Sequence, residues 1–177
     1  MLMRLPSLFL FLLFAACSSP RDKALDQLKA EEQKLFSDSA RAFDRMAATA
    51  LMKQYMDFAS TYPADSVSAG ILFKAGELAN GLGQSSEAIG IFRKIEQDYP
   101  TYSKVPVCIF LEGFICETQL HDMDGANYHY TRFLKQYPSH HLAKDVTFSL
   151  RNLGKSPEEL IRQFEQKGTI SPSSGTK

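Results

Sequence analysis

Three segments of this sequence align without gaps: LMKQYMDFASTYP at residues 51–63, AIGIFRKIEQDYP at residues 88–100 and ANYHYTRFLKQYP at residues 126–138. Their final prolines are 37 and 38 residues apart. The shared large residues follow the spacing i, i+4, i+7, which places them on one face of a helix. These positions are Leu51/Ala88/Ala126, Tyr55/Phe92/Tyr130 and Phe58/Ile95/Phe133. Self-similarity at a fixed period predicts stacked helical repeats.

Two further helices are predicted between these copies. The apolar residues from Val67 to Leu82 follow helical spacing, and the sequence Gly81-Leu82-Gly83 ends that pattern. The segment from Val105 to Cys116 is apolar almost throughout, with only Pro106, Glu112 and Gly113 as interruptions. A helix that is apolar on all sides is covered on more than one side, so this segment is expected in the middle of the stack. Ser103 is the expected N-cap, which places Pro106 in the first turn.

The two ends of the domain differ from the repeats. Residues 22–36 are charged with a thin leucine stripe, and we expect a helix there that leads into a longer one from about Ser39 to Thr61. After Pro138 a shorter helix is expected up to Leu153-Gly154. The segment SPEELIRQFEQK then begins with a capping box formed by Ser156 and Glu159. We expect a closing helix that covers the last repeat, followed by a disordered tail at residues 168–177.

The first sixteen residues have the layout of a secretory signal, with one basic residue (Arg4), an apolar run and small residues before Cys17. The ending Ala15-Ala16-Cys17 resembles the bacterial lipobox, in which the cysteine is acylated. Ser18, rather than an aspartate, is the pattern linked with onward transport to an outer membrane. We therefore expect a signal peptide at residues 1–16, a lipidated Cys17 (a palmitate carrier) with a linker at residues 17–21, and a folded domain at residues 22–167.

Composition limits the classes of partner. The 177-residue chain has 20 basic and 20 acidic residues, and no run of five or six like charges appears. A nucleic-acid partner would favour a basic patch, so none is expected. Cys108 and Cys116 are eight residues apart in one predicted helix, about 12 Å along its axis, which is too far for a disulfide.

The region from Ser66 to Pro138 resembles tetratricopeptide repeats. The signature positions of a first repeat are occupied by Leu72, Gly76, Gly83, Ala88, Phe92 and Pro100, and those of a second, with one extra residue, by Gly113, Ala126, Tyr130 and Pro138. The resemblance implies an all-α fold of helical hairpin repeats stacked into a short right-handed superhelix. With the lipobox, the chain is similar to outer-membrane barrel-assembly lipoproteins of the BamD type.

Candidate sites for chemistry are few. His121, Asp122, Asp124 and His129 cluster around one turn, but the acids suit helix capping and no His pair at i, i+4 appears. No nucleophile elbow, phosphate-binding loop or paired-carboxylate signature is present. We expect no catalytic residue, metal or cofactor, and an envelope hydrolase without a recognisable motif is the remote alternative.

The family resemblance implies a binding groove lined by the first helix of each repeat. Carried over by position, the groove residues are Phe73, Glu77 and Asn80 in the first repeat and Phe110, Phe114 and Glu117 in the second. Exposed aromatic residues beside acids would suit a peptide with basic and apolar residues. The alternative is that the closing helix fills the groove and that Phe73 and Phe110 belong to the core.

The expected function is that of a periplasm-facing, outer-membrane lipoprotein that holds another envelope protein. The resemblance favours a role in outer-membrane protein assembly, and a Tol–Pal or peptidoglycan-associated adaptor is the alternative. The membrane would be contacted through the lipid on Cys17.

Overall fold

The structure of this protein is a computed structural model that describes residues 19–37 and 43–168. It consists over these residues of eight α-helices and one π-helical turn, Cys116–Leu120. The helices are α1 (Pro20–Phe36), α2 (Arg45–Thr61), α3 (Ser68–Gly81), α4 (Ser85–Asp98), α5 (Val105–Ile115), α6 (Met123–Gln136), α7 (Ala143–Asn152) and α8 (Pro157–Gly168). From α1 to α7 each helix packs on the next, which confirms the predicted fold of stacked helical hairpins. The predicted signal peptide, Cys17 and the predicted tail after Gly168 lie outside the described residues.

The repeated apolar face forms the core, as predicted. All nine shared positions are buried: Leu51, Tyr55, Phe58, Ala88, Phe92, Ile95, Ala126, Tyr130 and Phe133. They belong to α2, α4 and α6, the second helix of each hairpin. The i, i+4, i+7 stripe therefore points inward in every repeat.

The three Tyr-Pro pairs end α2, α4 and α6 in the same way. Tyr62, Tyr99 and Tyr137 are the C-cap residues, and each donates its N–H to the carbonyl four residues earlier at 2.8–2.9 Å. Each tyrosine carbonyl then accepts from the residue three places later, across a turn that contains the proline. Proline suits the second position of such a turn because its φ is fixed and it has no N–H to leave unpaired.

A glycine in the first helix of each full repeat receives an aromatic ring from the second helix. A Cβ added to Gly76 would lie 2.5 Å from the Phe92 ring, and one added to Gly113 would lie 2.7 Å from the Tyr130 ring. Real Cβ atoms do not approach a ring this closely, so both positions require glycine for the helices to pack.

Several helix ends differ from the prediction. Asp44 caps α2, so this helix begins after the predicted Ser39, which lies outside the described residues. The N-cap of α5 is Lys104 and not Ser103, because the turn after Tyr99 runs one residue further before the helix starts. The extra residue of the second repeat is accommodated by the π-helical turn, which ends at His121 with a positive φ of 53°.

An ion pair joins the N-terminal helix to the repeats, and a capping box begins the last described helix. Arg21 of α1 forms an ion pair of 2.6 Å with Asp65 in the α2–α3 turn. The predicted capping box of α8 is confirmed, because Glu159 donates its N–H to the Ser156 hydroxyl and accepts the N–H of Ser156. None of the side chains described in α8 is buried.

We predict that Gly76→Ala lowers the free energy of unfolding by about 1–3 kcal/mol, because the new methyl group overlaps the Phe92 ring. Urea unfolding followed by circular dichroism measures this change. The matched control is Gly90→Ala, which places a methyl group in open space on the exposed side of α4. The control should raise stability by up to about 1 kcal/mol, and equal effects of the two substitutions would contradict the packing argument.

Candidate partner-binding surface

Phe73 belongs to the core and does not line an open groove. It is only 3% exposed, and its ring packs against those of Phe92 and Tyr102. The ammonium group of Lys104 lies 4.2 Å from the centre of the same ring. The turn between α4 and α5 therefore folds over Phe73. This corrects its assignment to the groove, because Tyr102 and Lys104 of this turn cover its ring.

The second repeat presents an open apolar face. Phe110 is half-buried, and its ring stacks on that of Tyr130 at 6.2 Å between centres. Phe114 is 40% exposed. With the half-buried Val107 and Leu111, Phe114 follows the spacing i, i+4, i+7 on one side of α5. We call the side formed by Val107, Leu111 and Phe114 the outer face of α5.

Two of the predicted polar groove residues form hydrogen bonds within the protein, and the third is exposed to solvent. Glu117 accepts a hydrogen bond of 2.7 Å from the Tyr130 hydroxyl, and burial together with this bond raises the pKa of Tyr130. Asn80 accepts a hydrogen bond of 2.6 Å from Gln119, whose own carbonyl oxygen accepts one from Ser85. Glu77 is exposed on α3. The hydrogen bonds of Glu117 and Asn80 thus join neighbouring helical segments. Of the predicted groove residues, Glu77 is the one whose carboxylate is exposed.

A buried charge cluster lies behind the outer face, where α4, α5 and α6 meet. Glu112 is 0% exposed, and its Oε2 lies 2.9 Å from Nη2 of Arg132 and 2.7 Å from Nδ1 of His129. The same Arg132 nitrogen lies 2.8 Å from Oε1 of Glu96. The imidazole and carboxylate are close enough for an ion pair, but their approach lacks the direction of a hydrogen bond. We call Glu96, Glu112, His129 and Arg132 the charge cluster.

The electrostatics of the charge cluster disfavour two ionised carboxylates. Burial, and then the neighbouring Glu112, raise the pKa of Glu96 from about 4.5 to about 7 against the opposing effect of Arg132. Burial, with the same two carboxylates, also raises the pKa of Cys108 to about 12, which keeps this thiol neutral. Cys108 and Cys116 are free and buried, as expected from their spacing. A neutral buried thiol packs as a small apolar group.

Sequence reasoning missed the charge cluster. Its signal is the single carboxylate, Glu112, in an otherwise apolar helix, which requires a buried partner. The sequence places His129 near His121, Asp122 and Asp124, but the fold separates them. Asp122 caps α6 by accepting the N–H of Gly125 at 2.9 Å, whereas His129 faces Glu112. Across residues 19–37 and 43–168, no group of three or more His, Cys, Asp or Glu side chains is arranged to hold a metal ion.

Comparison with known families supports the repeat assignment. The model of the tetratricopeptide repeat matches residues 71–102, which cover most of α3, all of α4 and the following Tyr-Pro turn. This is the hairpin in which Phe92 lies on Gly76. A search of curated proteins finds no match to the chain. The chain thus carries a tetratricopeptide repeat, a unit typical of protein–protein interaction scaffolds.

We predict that Glu96 makes stability depend on pH between about 4.5 and 7. A carboxyl group whose pKa is raised by folding favours the folded state below its unfolded pKa, and this contribution is lost as the pH rises through the folded pKa. Glu96→Gln removes this titration. We therefore subtract the free energy of unfolding of the unmodified protein from that of the variant. This difference should increase from pH 4.5 to 7 and stay constant above pH 7.

Denaturant unfolding at each pH measures the difference between the two proteins, in which titrating groups outside the charge cluster cancel. Asp98→Asn is the control, because Asp98 is an exposed carboxylate at the end of the same helix and pairs with Lys94. A flat difference for Glu96→Gln over this interval would contradict the assignment.

Proposed function

We propose that this protein is a lipid-anchored adaptor of the bacterial envelope that holds another envelope protein through its tetratricopeptide-type repeats, without catalysing a reaction. The outer face of α5 carries this proposal. It displays Phe114 and two partly covered aliphatic side chains, while the same helix directs Glu112 into the interior. The exposed side of α5 is thus apolar, and exposed apolar surface marks a candidate interaction site.

The partner segment should combine basic and apolar residues. Phe114 supplies an aromatic contact, and Glu77 on α3 supplies an open carboxylate that would attract a lysine or an arginine. Glu117 adds a second carboxylate that the Tyr130 hydroxyl holds in place. An extended or helical peptide of this composition fits the chemistry of the surface.

The anchor is proposed from the sequence Ala15-Ala16-Cys17, with Ser18 favouring the outer membrane. Ser19 is the N-cap of α1, so the folded domain would begin two residues after the lipid. The ion pair between Arg21 and Asp65 holds this end of α1 beside the α2–α3 turn. The edge of the stack formed by the Tyr-Pro turns would then lie next to the membrane. Within residues 19–37 and 43–168, no helix is long and apolar enough to cross a bilayer.

The process proposed is outer-membrane protein assembly, for which co-purification from native membranes is the test. Crosslinking before detergent extraction, followed by mass spectrometry, should recover barrel-assembly proteins with the unmodified chain. Recovery of peptidoglycan-binding or Tol proteins in their place would favour the envelope-maintenance role.

We predict that Phe114→Ala reduces recovery of the partner about tenfold or more, since truncating an aromatic anchor costs about 2 kcal/mol. Because Phe114 is exposed, the melting temperature should change little. Phe73→Ala is the contrasting variant. It should lower the free energy of unfolding by about 3–5 kcal/mol, because it leaves a cavity under Lys104 and Tyr102. Full partner recovery by a folded Phe114→Ala protein would contradict the binding surface.

We predict that Cys17→Ser prevents lipidation, because the serine hydroxyl does not replace the acylated thiol. The variant should leave the membrane fraction, lack the mass of the acyl chains and fail to incorporate labelled palmitate. Cys108→Ser is the control, since this buried thiol has no role in the proposed anchor. A Cys17→Ser protein that stays in membranes with an unchanged mass would refute the anchor.

A further inference from the structure

An open groove lies away from the outer face of α5, between α2 and two of the turns within hairpins. The N-terminal half of α2 forms one side, and residues 83–87 and 119–120 form the other. The groove has a volume of about 1230 Å³. We call it the methionine groove because Met46, Met52 and Met56 line it.

The methionine groove is lined by both polar and apolar side chains, and its apolar part is adaptable. Met46 is 85% exposed, and Leu120 on the opposite side is 43% exposed. Met52 is buried at the floor, next to the half-buried Met56. Methionine side chains are unbranched and polarisable, and they adjust to differently shaped apolar ligands. A surface of this kind favours a peptide with bulky apolar side chains.

The charge of the groove indicates what else the peptide carries. Arg45 lines it and donates to the Leu82 carbonyl at 2.6 Å, and no described carboxylate forms an ion pair with it. Lys53 also lines the groove, but it pairs with Asp57 at 2.9 Å. Among the described residues that line the groove, Arg45 is therefore the cation that remains for a ligand.

The start of α4 adds positive potential from the opposite side of the groove. Its N-cap, Gln84, makes no side-chain hydrogen bond to the first turn. The N–H groups of a first turn have no partner within the helix and carry partial positive charge. Glu87 in that turn offsets part of this potential. Arg45 and the open first turn together are complementary to a carboxylate.

We propose that the methionine groove is a second docking site, for a peptide segment of a partner protein that combines bulky apolar side chains with a carboxylate. The segment would lay its apolar residues against Met46 and Leu120 and direct its carboxylate to Arg45. Its charge preference is opposite to that of the first partner segment, for which Glu77 of α3 and Glu117 of the π-helical turn favour basic residues. The two surfaces therefore select different segments.

The test is a selection of displayed random peptides against the purified full-length chain. Peptides of about twelve residues match the length of α2 that borders the groove. Enriched peptides are synthesised with a fluorescent label, and their affinities are measured by polarisation. Acidic peptides with bulky apolar residues should bind roughly tenfold more weakly to Met46→Asp and to Arg45→Gln.

Two control variants establish that the peptides bind at the methionine groove. Ala47→Asp introduces the same charge in the same turn of α2 at an exposed position that does not line the groove, so its affinity should be unchanged. Phe114→Ala should also bind normally, which distinguishes this site from the outer face of α5. Thermal melting of each variant establishes that it is folded.

Three results would overturn the proposal. One is a selection whose peptides all bind equally to the unmodified protein and to folded Met46→Asp. Another is that the peptides which bind more weakly to Met46→Asp lack carboxylates and bind equally well to folded Arg45→Gln. The third is sedimentation of the full-length chain as a dimer that Met46→Asp dissociates, which would make a second copy of the chain the occupant.

Discussion

An aromatic ring that lies on a glycine sets the distance between the two helices of each full hairpin. Phe92 on Gly76 and Tyr130 on Gly113 are the same contact in successive repeats. Because the glycine has no side chain, the ring reaches the backbone of the first helix, and the buried stripe of the second helix faces inward. The opposite side of the first helix is thereby directed outward. The position of the outer face of α5, with Phe114, is thus a consequence of this packing.

The charge cluster places one carboxylate among the buried apolar residues of α5. Glu112 directly precedes Gly113, and it is fully buried where the equivalent position in α3 is Ala75. Burial of Glu112 requires Arg132, since removing the cation from a buried carboxylate lowers the free energy of unfolding by about 3–5 kcal/mol. An apolar pair in its place would often be as stable or more so. With Glu112 buried beside Arg132, Phe114 lies on the exposed side of α5, and we infer that the cluster contributes to specificity more than to stability.

Most of the fold was predictable because its determinants are local. The helical stripe, the Tyr-Pro ends and the capping box of Ser156 and Glu159 each lie within a few residues of sequence, and the structure confirms them. Apart from the starts of α2 and α5, the errors concern contacts between distant residues. Phe73 is covered by the turn after α4, and Glu112 finds its charge partners 17 and 20 residues later in the chain. No local pattern specifies either contact, so the positions carried over from the tetratricopeptide repeat assigned Phe73 to a groove, and Glu112 was left without a partner.

Consecutive helices alternate in direction, so the two kinds of turn lie at opposite edges of the stack. Short connections make consecutive helices antiparallel, so the Tyr-Pro turns and the start of α1 share one edge, joined by Arg21 and Asp65. The turns within the hairpins form the other edge, and residues 83–87 and 119–120 of the methionine groove belong to it. The 17 residues of α1 separate the two edges by about 25 Å. A lipid on Cys17 would hold the first edge at the membrane, so the methionine groove would open toward the periplasm, where a second partner can reach it.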